Sequence, residues 1–250
     1  MQSVPSSPLI DRPFLDSPLI DLSHGGTGRD RWSDAVLALE PFVARSFRRL
    51  VVVAPHPDDE TLGVGGLIAS TSERGGRVLV VSLTDGEAAY EQDGLDELRH
   101  DELCAAMHRL SLAATVAIDR WQLPDGGLTG REAEIAERLS EIIRPGDFVV
   151  GPLDCDGHPD HDAAGAAVLA LADDGAIDVA SYPVWSWHWH DPSSSVITDQ
   201  GQRVQMTRSA LTAKLAAIDR YPSQTAGPGP ILPDHFVRRF DQPFEVLVRR

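Results

Sequence analysis

His56, Asp58, Asp59 and Glu60 crowd into Ala54-Pro-His-Pro-Asp-Asp-Glu60, directly behind an apolar run, Leu50-Val-Val-Val-Ala54. A second set, Gly157-His-Pro-Asp-His-Asp162, follows another apolar run at 147–151. An ionised side chain is costly to bury without a partner, so packing gives no reason to place so many at the mouths of two buried strands. A metal ion supplies that reason. His56 and Asp59 are three apart in a turn, and His158 and His161 are three apart where Pro159 suits the first turn of a helix. Side chains at that spacing share one face. Two His and one carboxylate leave coordination positions open for water and substrate, the form of a catalytic rather than a structural zinc site. Zinc can bring the pKa of a bound water to about 7. A further carboxylate nearby could take that water's proton, so the chemistry is hydrolysis. Iron(II) accepts the same donor set.

The elements that must position these groups alternate. Apolar runs at 50–54, 77–83, 115–118 and 147–151 predict strands. Helical patterns lie at Thr61–Arg74, Leu95–Leu110, Arg131–Ile143 and Asp160–Ala172, with a further strand near Val179–Val184. This alternation predicts an α/β fold, a Rossmann-like three-layer sandwich around a mostly parallel sheet. Such sheets bind ligands beyond the carboxyl ends of their strands, and both motifs sit there. Beyond Pro183, Trp185-Ser-Trp-His-Trp-His190 alternates with period two and predicts a strand with its three Trp on one face. A helix at Ser209–Asp219, a loop at Gly227–Pro230 and an edge strand at Phe244–Val248 complete the expected order. Residues 1–31 read as an extended, proline-rich arm carrying a repeat, Ser7–Asp11 and Ser17–Asp21, with a short helix near Trp32–Ala44. Residues 32–250 read as a single catalytic domain.

The chain's 250 residues suffice for one sizeable core. A net charge of −16 disfavours nucleic acid and anionic membrane surfaces, leaving a small-molecule substrate. The two Cys, Cys104 and Cys155, have no metal-binding or disulfide spacing. No apolar run reaches the length of a membrane span, and a reduced, cytoplasmic setting is expected.

The two motifs together, in this order, resemble the PIG-L/LmbE-like zinc-dependent N-deacetylases. Thr84-Asp-Gly-Glu87, Arg99-x-x-Glu102 and Leu123-Pro-Asp-Gly126 add weaker support. The resemblance runs from about Leu50 to Tyr221. It implies zinc on His56, Asp59 and His161, Asp58 as general base, and His158 as general acid or oxyanion stabiliser. It also implies removal of an N-acetyl group from an acetamido sugar or glycoside, with Asp125 holding substrate hydroxyls. Where some relatives place a Tyr that assists the oxyanion, this chain has Asp156. A protonated His158, its pKa raised by Asp156, is then expected to carry more of that work. A hydratase of an unsaturated oxo-acid could use the same scaffold and would bring several Arg to the metal. A non-catalytic metal or sugar-binding module would not need Asp58.

Other residues have plainer expectations. Glu60 is expected behind the metal ligands or at a helix start. Gly63, Gly65 and Gly66 lack dinucleotide spacing and predict close helix packing. Cys104 is expected in the core. Arg99 is expected to pair with Glu102 along the helix, with substrate contact as its alternative role. Trp187, in the Trp185–Trp189 stripe, is a candidate sugar-stacking residue, and His188 and His190 are expected at the rim.

Overall fold

The computed structural model describes residues 25–43, 45–172, 177–227 and 230–249. The repeated Ser-Pro-Leu-Ile-Asp units and most of the expected arm lie outside these residues. Residues 29–31 already belong to a helix. In chain order the elements are α1 Arg29–Leu37, β1 Arg49–Ala54, α2 Asp59–Glu73, β2 Arg77–Thr84, α3 Leu95–Leu110 and β3 Val116–Leu123. Then come α4 Glu132–Ile142, β4 Asp147–Pro152, α5 Pro159–Ala170, β5 Asp178–Tyr182, α6 Ser186–Trp189 and α7 Val196–Gln200. The last are β6 Gly201–Gln205, α8 Arg208–Ile218, α9 Pro222–Thr225, α10 Asp234–Val237 and β7 Phe244–Val248.

The sheet runs β3-β2-β1-β4-β5-β7-β6. Its first five strands are parallel, and β7 runs antiparallel to both β5 and β6. Strand alternation explains the layers. Leu50 and Val52 of β1 join Ile68, Leu103 and Met107 on one face, while Val51 and Val53 join Ile135, Leu139 and Val168 on the other. The central strand is thus apolar on both sides, as its Leu-Val-Val-Val-Ala sequence requires. Truncating a core residue such as Leu50 to Ala should cost about 2–5 kcal/mol.

From β1 the chain winds to β2 and β3 on one side, then returns to β4 and β5 on the other. Beyond their carboxyl ends, the β1 and β4 loops therefore diverge and leave a crevice at the topological switch point. The two motifs occupy these loops.

The structure corrects three expectations. Phe244–Val248 is an interior strand, and the short polar β6 forms the edge. Residues 186–189 form a helical turn. Their Trp alternation misleads because Trp185 and Trp189, four apart, stack at 6.0 Å, while Trp187 turns to Trp32 at 4.9 Å. Cys104 is exposed rather than in the core.

The glycines of α2 serve packing. A Cβ on Gly63 would come within 2.2 Å of the Tyr182 ring, whose hydroxyl donates to the Val53 carbonyl. The helix breaks at Val64, where φ is −140°. Below the break, Glu245 accepts from the Gly66 and Leu67 amides, and Lys214 donates to the Leu62 carbonyl above it. No described helix is long and apolar enough to cross a membrane.

Candidate metal centre and its cavity

The β1 motif folds back on itself. Asp59 opens α2, and its Oδ2 accepts from the His56 amide at 2.9 Å. The same oxygen lies 3.2 Å from His56 Nδ1 and 3.2 Å from His161 Nε2. One potential ligand atom from each of His56, Asp59 and His161 thus falls within 4.8 Å of the others. His56, His158 and Asp160 form a second, overlapping set. Its geometry has another explanation. His56 Nε2 lies 3.2 Å from Asp160 Oδ2, whose carboxylate also accepts from the Gly126 and Leu128 amides. Asp160 therefore holds the far nitrogen of His56, the usual arrangement behind a metal-binding histidine.

The donor set fits a cation. Neither ring nitrogen of fully buried His161 completes a hydrogen bond, although Nδ1 lies 2.9 Å from Asp156 and Nε2 faces Asp59. An orphaned, buried ring nitrogen aimed at a carboxylate and a second imidazole is what an absent metal ligand leaves. Charge agrees. Burial alone would lower the His161 pKa, yet Asp59 and Asp156 raise it to about 9. Burial also opposes the proton on His56, and the hydrogen bonds and charge of Asp125, Asp160 and Asp59 still raise it well above its ordinary value. The carboxylates thus favour positive charge in the pocket, as a cation site requires.

Asp58 sits beside the ligands with φ +140°, a conformation that non-glycine residues rarely adopt. Its carbonyl accepts from the Thr61 and Leu62 amides, and its amide donates to Glu60 Oε2. Glu60 faces away from the ligands and accepts from the Tyr221 and Thr61 hydroxyls. Burial first, then the charge of Asp59, raises the Asp58 pKa well above the carboxylate range against opposition from Arg99 and His56. A carboxylate so held is a stronger base.

His158 caps α5, with its Nδ1 accepting from the Asp160 amide at 3.2 Å. That bond leaves the proton on Nε2. Burial, then the charges of His56 and His161, lowers its pKa to about 3. The shift runs opposite to the raised pKa expected from sequence, and with Nδ1 taken by the Asp160 amide it leaves Nε2–H as the group His158 can donate. Asp156 does not touch it; its carboxylate faces His161 and the start of α6.

His56, Asp58, Asp59 and His158 line one side of a cleft of about 700 Å³. Trp185, Val184, Leu62, Ile231 and Leu232 form its apolar side. Arg99 and Asp125 also reach it. Arg99 donates to the Gly86 carbonyl and to Gln224, and lies 3.9 Å from Asp58. It does not pair with Glu102, which binds the Ser223 amide and hydroxyl. Gly86 has φ +66°, and a Cβ there would sit 2.1 Å from the Arg99 guanidinium. Asp125 lies 3.2 Å from His56 Nε2 and accepts from the Ala88 amide. Burial would raise its pKa, but His56 lowers it to about 2. Trp187 does not line this cleft. It borders a separate cavity of about 500 Å³ with Trp32 and Lys214, so the aromatic wall is Trp185. His188 is buried against Trp189, and His190 meets Ser195.

Residues 51–172 match the family model PIG-L, described as GlcNAc-PI de-N-acetylase. The chain belongs to the PIG-L family. It is 30% identical over 217 residues to a 1D-myo-inositol 2-acetamido-2-deoxy-alpha-D-glucopyranoside deacetylase of Rhodococcus erythropolis, covering 74% of this chain and 70% of that protein. A counterpart from Saccharopolyspora erythraea is 33% identical, but the chain spans only 53% of its length. Among solved structures, a conserved protein from Thermus thermophilus superposes with a TM-score of 0.58 at 26% identity, over 81% of this chain and 94% of the other.

Gln224, Tyr221 and Ser223 had no signal in the sequence. They reach the site from α9 and the residue preceding it, far along the chain from the two motifs, and no short spacing joins them.

Proposed function

We propose that this chain is a metal-dependent N-deacetylase that releases an acyl group from an acetamido sugar or glycoside. The observation that carries this reading is Asp58, a buried, strained carboxylate adjacent in sequence to the ligand-type Asp59 and facing the same cleft. A binding module would have no use for it. His56, Asp59 and His161 would hold the metal, with zinc as the proposed ion and iron(II) suited to the same donors. Bound there, the metal would supply Lewis acidity toward water and the amide carbonyl.

The chain's own residues do the proton work. Asp58 takes a proton from the attacking water as its oxygen bonds to the carbonyl carbon. The carbonyl oxygen gains negative charge, and the neutral His158 donates its Nε2–H to it. When the C–N bond breaks, the proton held on Asp58 passes to the leaving nitrogen. Acetate and a free amino sugar result. Asp125 and Arg99 are the groups proposed to hold substrate hydroxyls, and Trp185 the ring face.

The hydratase alternative needs several arginines at the metal for substrate carboxylates. Among the described residues lining the cleft Arg99 is the single arginine, and Gly86, Gln224 and Asp58 surround its guanidinium. Metal analysis of the purified protein, with a screen of acetamido sugars for free amine and acetate, tests the reading. Bound metal with amine release supports it. A metal-loaded protein that releases no amine from any such compound refutes it.

A further inference from the structure

We propose that Asp156 is a positioning residue that ties the metal ligand His161 to the aromatic wall of the cleft. The proposal rests on the metal-dependent reading above. Asp156 is fully buried, and five groups converge on its carboxylate. Oδ1 accepts from the Val184 amide at 3.1 Å, the Ser186 amide at 2.9 Å and the Ser186 hydroxyl at 2.6 Å. Oδ2 accepts from the Trp185 amide at 2.9 Å and lies 2.9 Å from His161 Nδ1.

An ionised carboxylate can only accept. Every donor to Asp156 must therefore bring a proton, and the 2.9 Å approach of His161 Nδ1 favours the tautomer with its proton on that nitrogen. The lone pair is then left on Nε2, the nitrogen that faces Asp59 and His56 Nδ1. Asp156 thus selects the tautomer that can bind a metal. Asp160 does the same for His56 from the opposite side.

The other end of the carboxylate fixes the cleft wall. Val184 and Trp185 both line the cleft, and their amides end on Asp156. The Trp185 ring stacks on His158 at 6.0 Å and on Trp189 at 6.0 Å. Gly157, next to Asp156, has φ +91°, and a Cβ there would approach the Trp189 ring to 2.9 Å. One loop therefore sets a metal ligand, the oxyanion donor and the wall against which a sugar ring would rest.

Asn at this position separates this role from simple capping. With its oxygen toward the Ser186 side, an amide presents N–H groups to His161, which favours a proton on Nε2 and blocks metal binding. Zn2+ affinity would be measured by competition with a chromophoric chelator on the full chain. Asp156→Asn should bind Zn2+ about 10–100-fold more weakly. Ser186→Ala removes a cap contact without touching His161; it should keep wild-type Zn2+ affinity and raise KM for an acetamido sugar. Wild-type affinity in Asp156→Asn, or an affinity loss in Ser186→Ala as large as in Asp156→Asn, overturns the proposal. If Asp156→Asn does not fold, nitrogen NMR of the Zn2+-loaded wild type decides. Metal on His161 Nε2 with the proton on Nδ1 supports the proposal, and the reverse tautomer overturns it. A wild-type protein that binds no divalent metal instead refutes the deacetylase reading itself.

Discussion

The Lys214 ammonium lies 2.7 Å from the Glu245 carboxylate, and the two residues span the break in α2. Lys214 is the chain's single lysine, and both side chains are almost completely buried. The pair satisfies the carbonyl that ends the upper half of the helix and the amides that begin the lower half. The upper half carries Asp59, Glu60, Thr61 and Leu62, so the pair fixes where the ligand turn stands on the helix below.

Removing one partner leaves the other charge buried alone, which typically costs 3–5 kcal/mol. Lys214→Met and Glu245→Gln should each destabilise the protein by about that amount in urea unfolding. The double variant should lose less than the sum. Additive losses would show that the two side chains act independently.

Asp58 and Asp59 are neighbours with opposite expected roles. Asp59→Ala should abolish metal binding, because its Oδ2 lies between both ligand histidines. Asp58→Asn should keep the metal and lower kcat by about 10²–10⁴-fold. Metal content and rate measured on both variants test the division. Near-normal turnover in Asp58→Asn would move the base elsewhere.

What the sequence made legible follows from distance along the chain. His56, Asp58 and Asp59 lie within four residues behind a run that only a buried strand explains, and His158 and His161 repeat the pattern. Parallel β-α alternation then brings the two loops to one crevice without further information. The contacts of Arg99 were not legible. Its partners, Gly86 and Gln224, sit on the loop after β2 and on α9, while its neighbour Glu102 at helical spacing reaches Ser223 instead. The alternation in Trp185–Trp189 had the period of a strand, but Asp156 gathers three successive amides there and winds a helical turn. The edge strand β6, Gly-Gln-Arg-Val-Gln, is too short and polar to stand out as a pattern.

The metal-free protein should depend on pH through His161. Burial opposes its proton, but Asp59 and Asp156 win and raise its pKa to about 9. A folded-state pKa above the unfolded value of about 6.5 makes protonation favour the fold. This stabilisation is complete below about pH 6.5 and disappears as pH rises through about 9. It amounts to roughly 3–4 kcal/mol at most. Metal binding releases these protons, so the metal-loaded protein should not lose stability in that window. Urea unfolding of both forms from pH 6 to 9.5 checks the sign. Metal-free stability that stays level or climbs across the window would refute it.

His158 should act as a neutral donor. Its Nδ1 is occupied by the Asp160 amide, and burial with its two histidine neighbours lowers its pKa to about 3. A group of that pKa is already deprotonated at neutral pH and holds a single N–H, on Nε2. His158→Ala should retain the metal, because His158 is outside the His56, Asp59 and His161 set. It should lower kcat by about 10²-fold or more with little change in KM, as expected when a donor to the developing oxyanion is lost. A neutral amide can replace a neutral N–H, so His158→Gln should recover part of the lost rate. It could not replace an imidazolium that gives its proton away. The pH–rate profile separates the two roles further. With a neutral donor, the basic limb of the wild-type profile should persist in His158→Gln. If His158→Gln is as slow as His158→Ala and that limb vanishes in both, His158 is a proton donor that ionises during turnover.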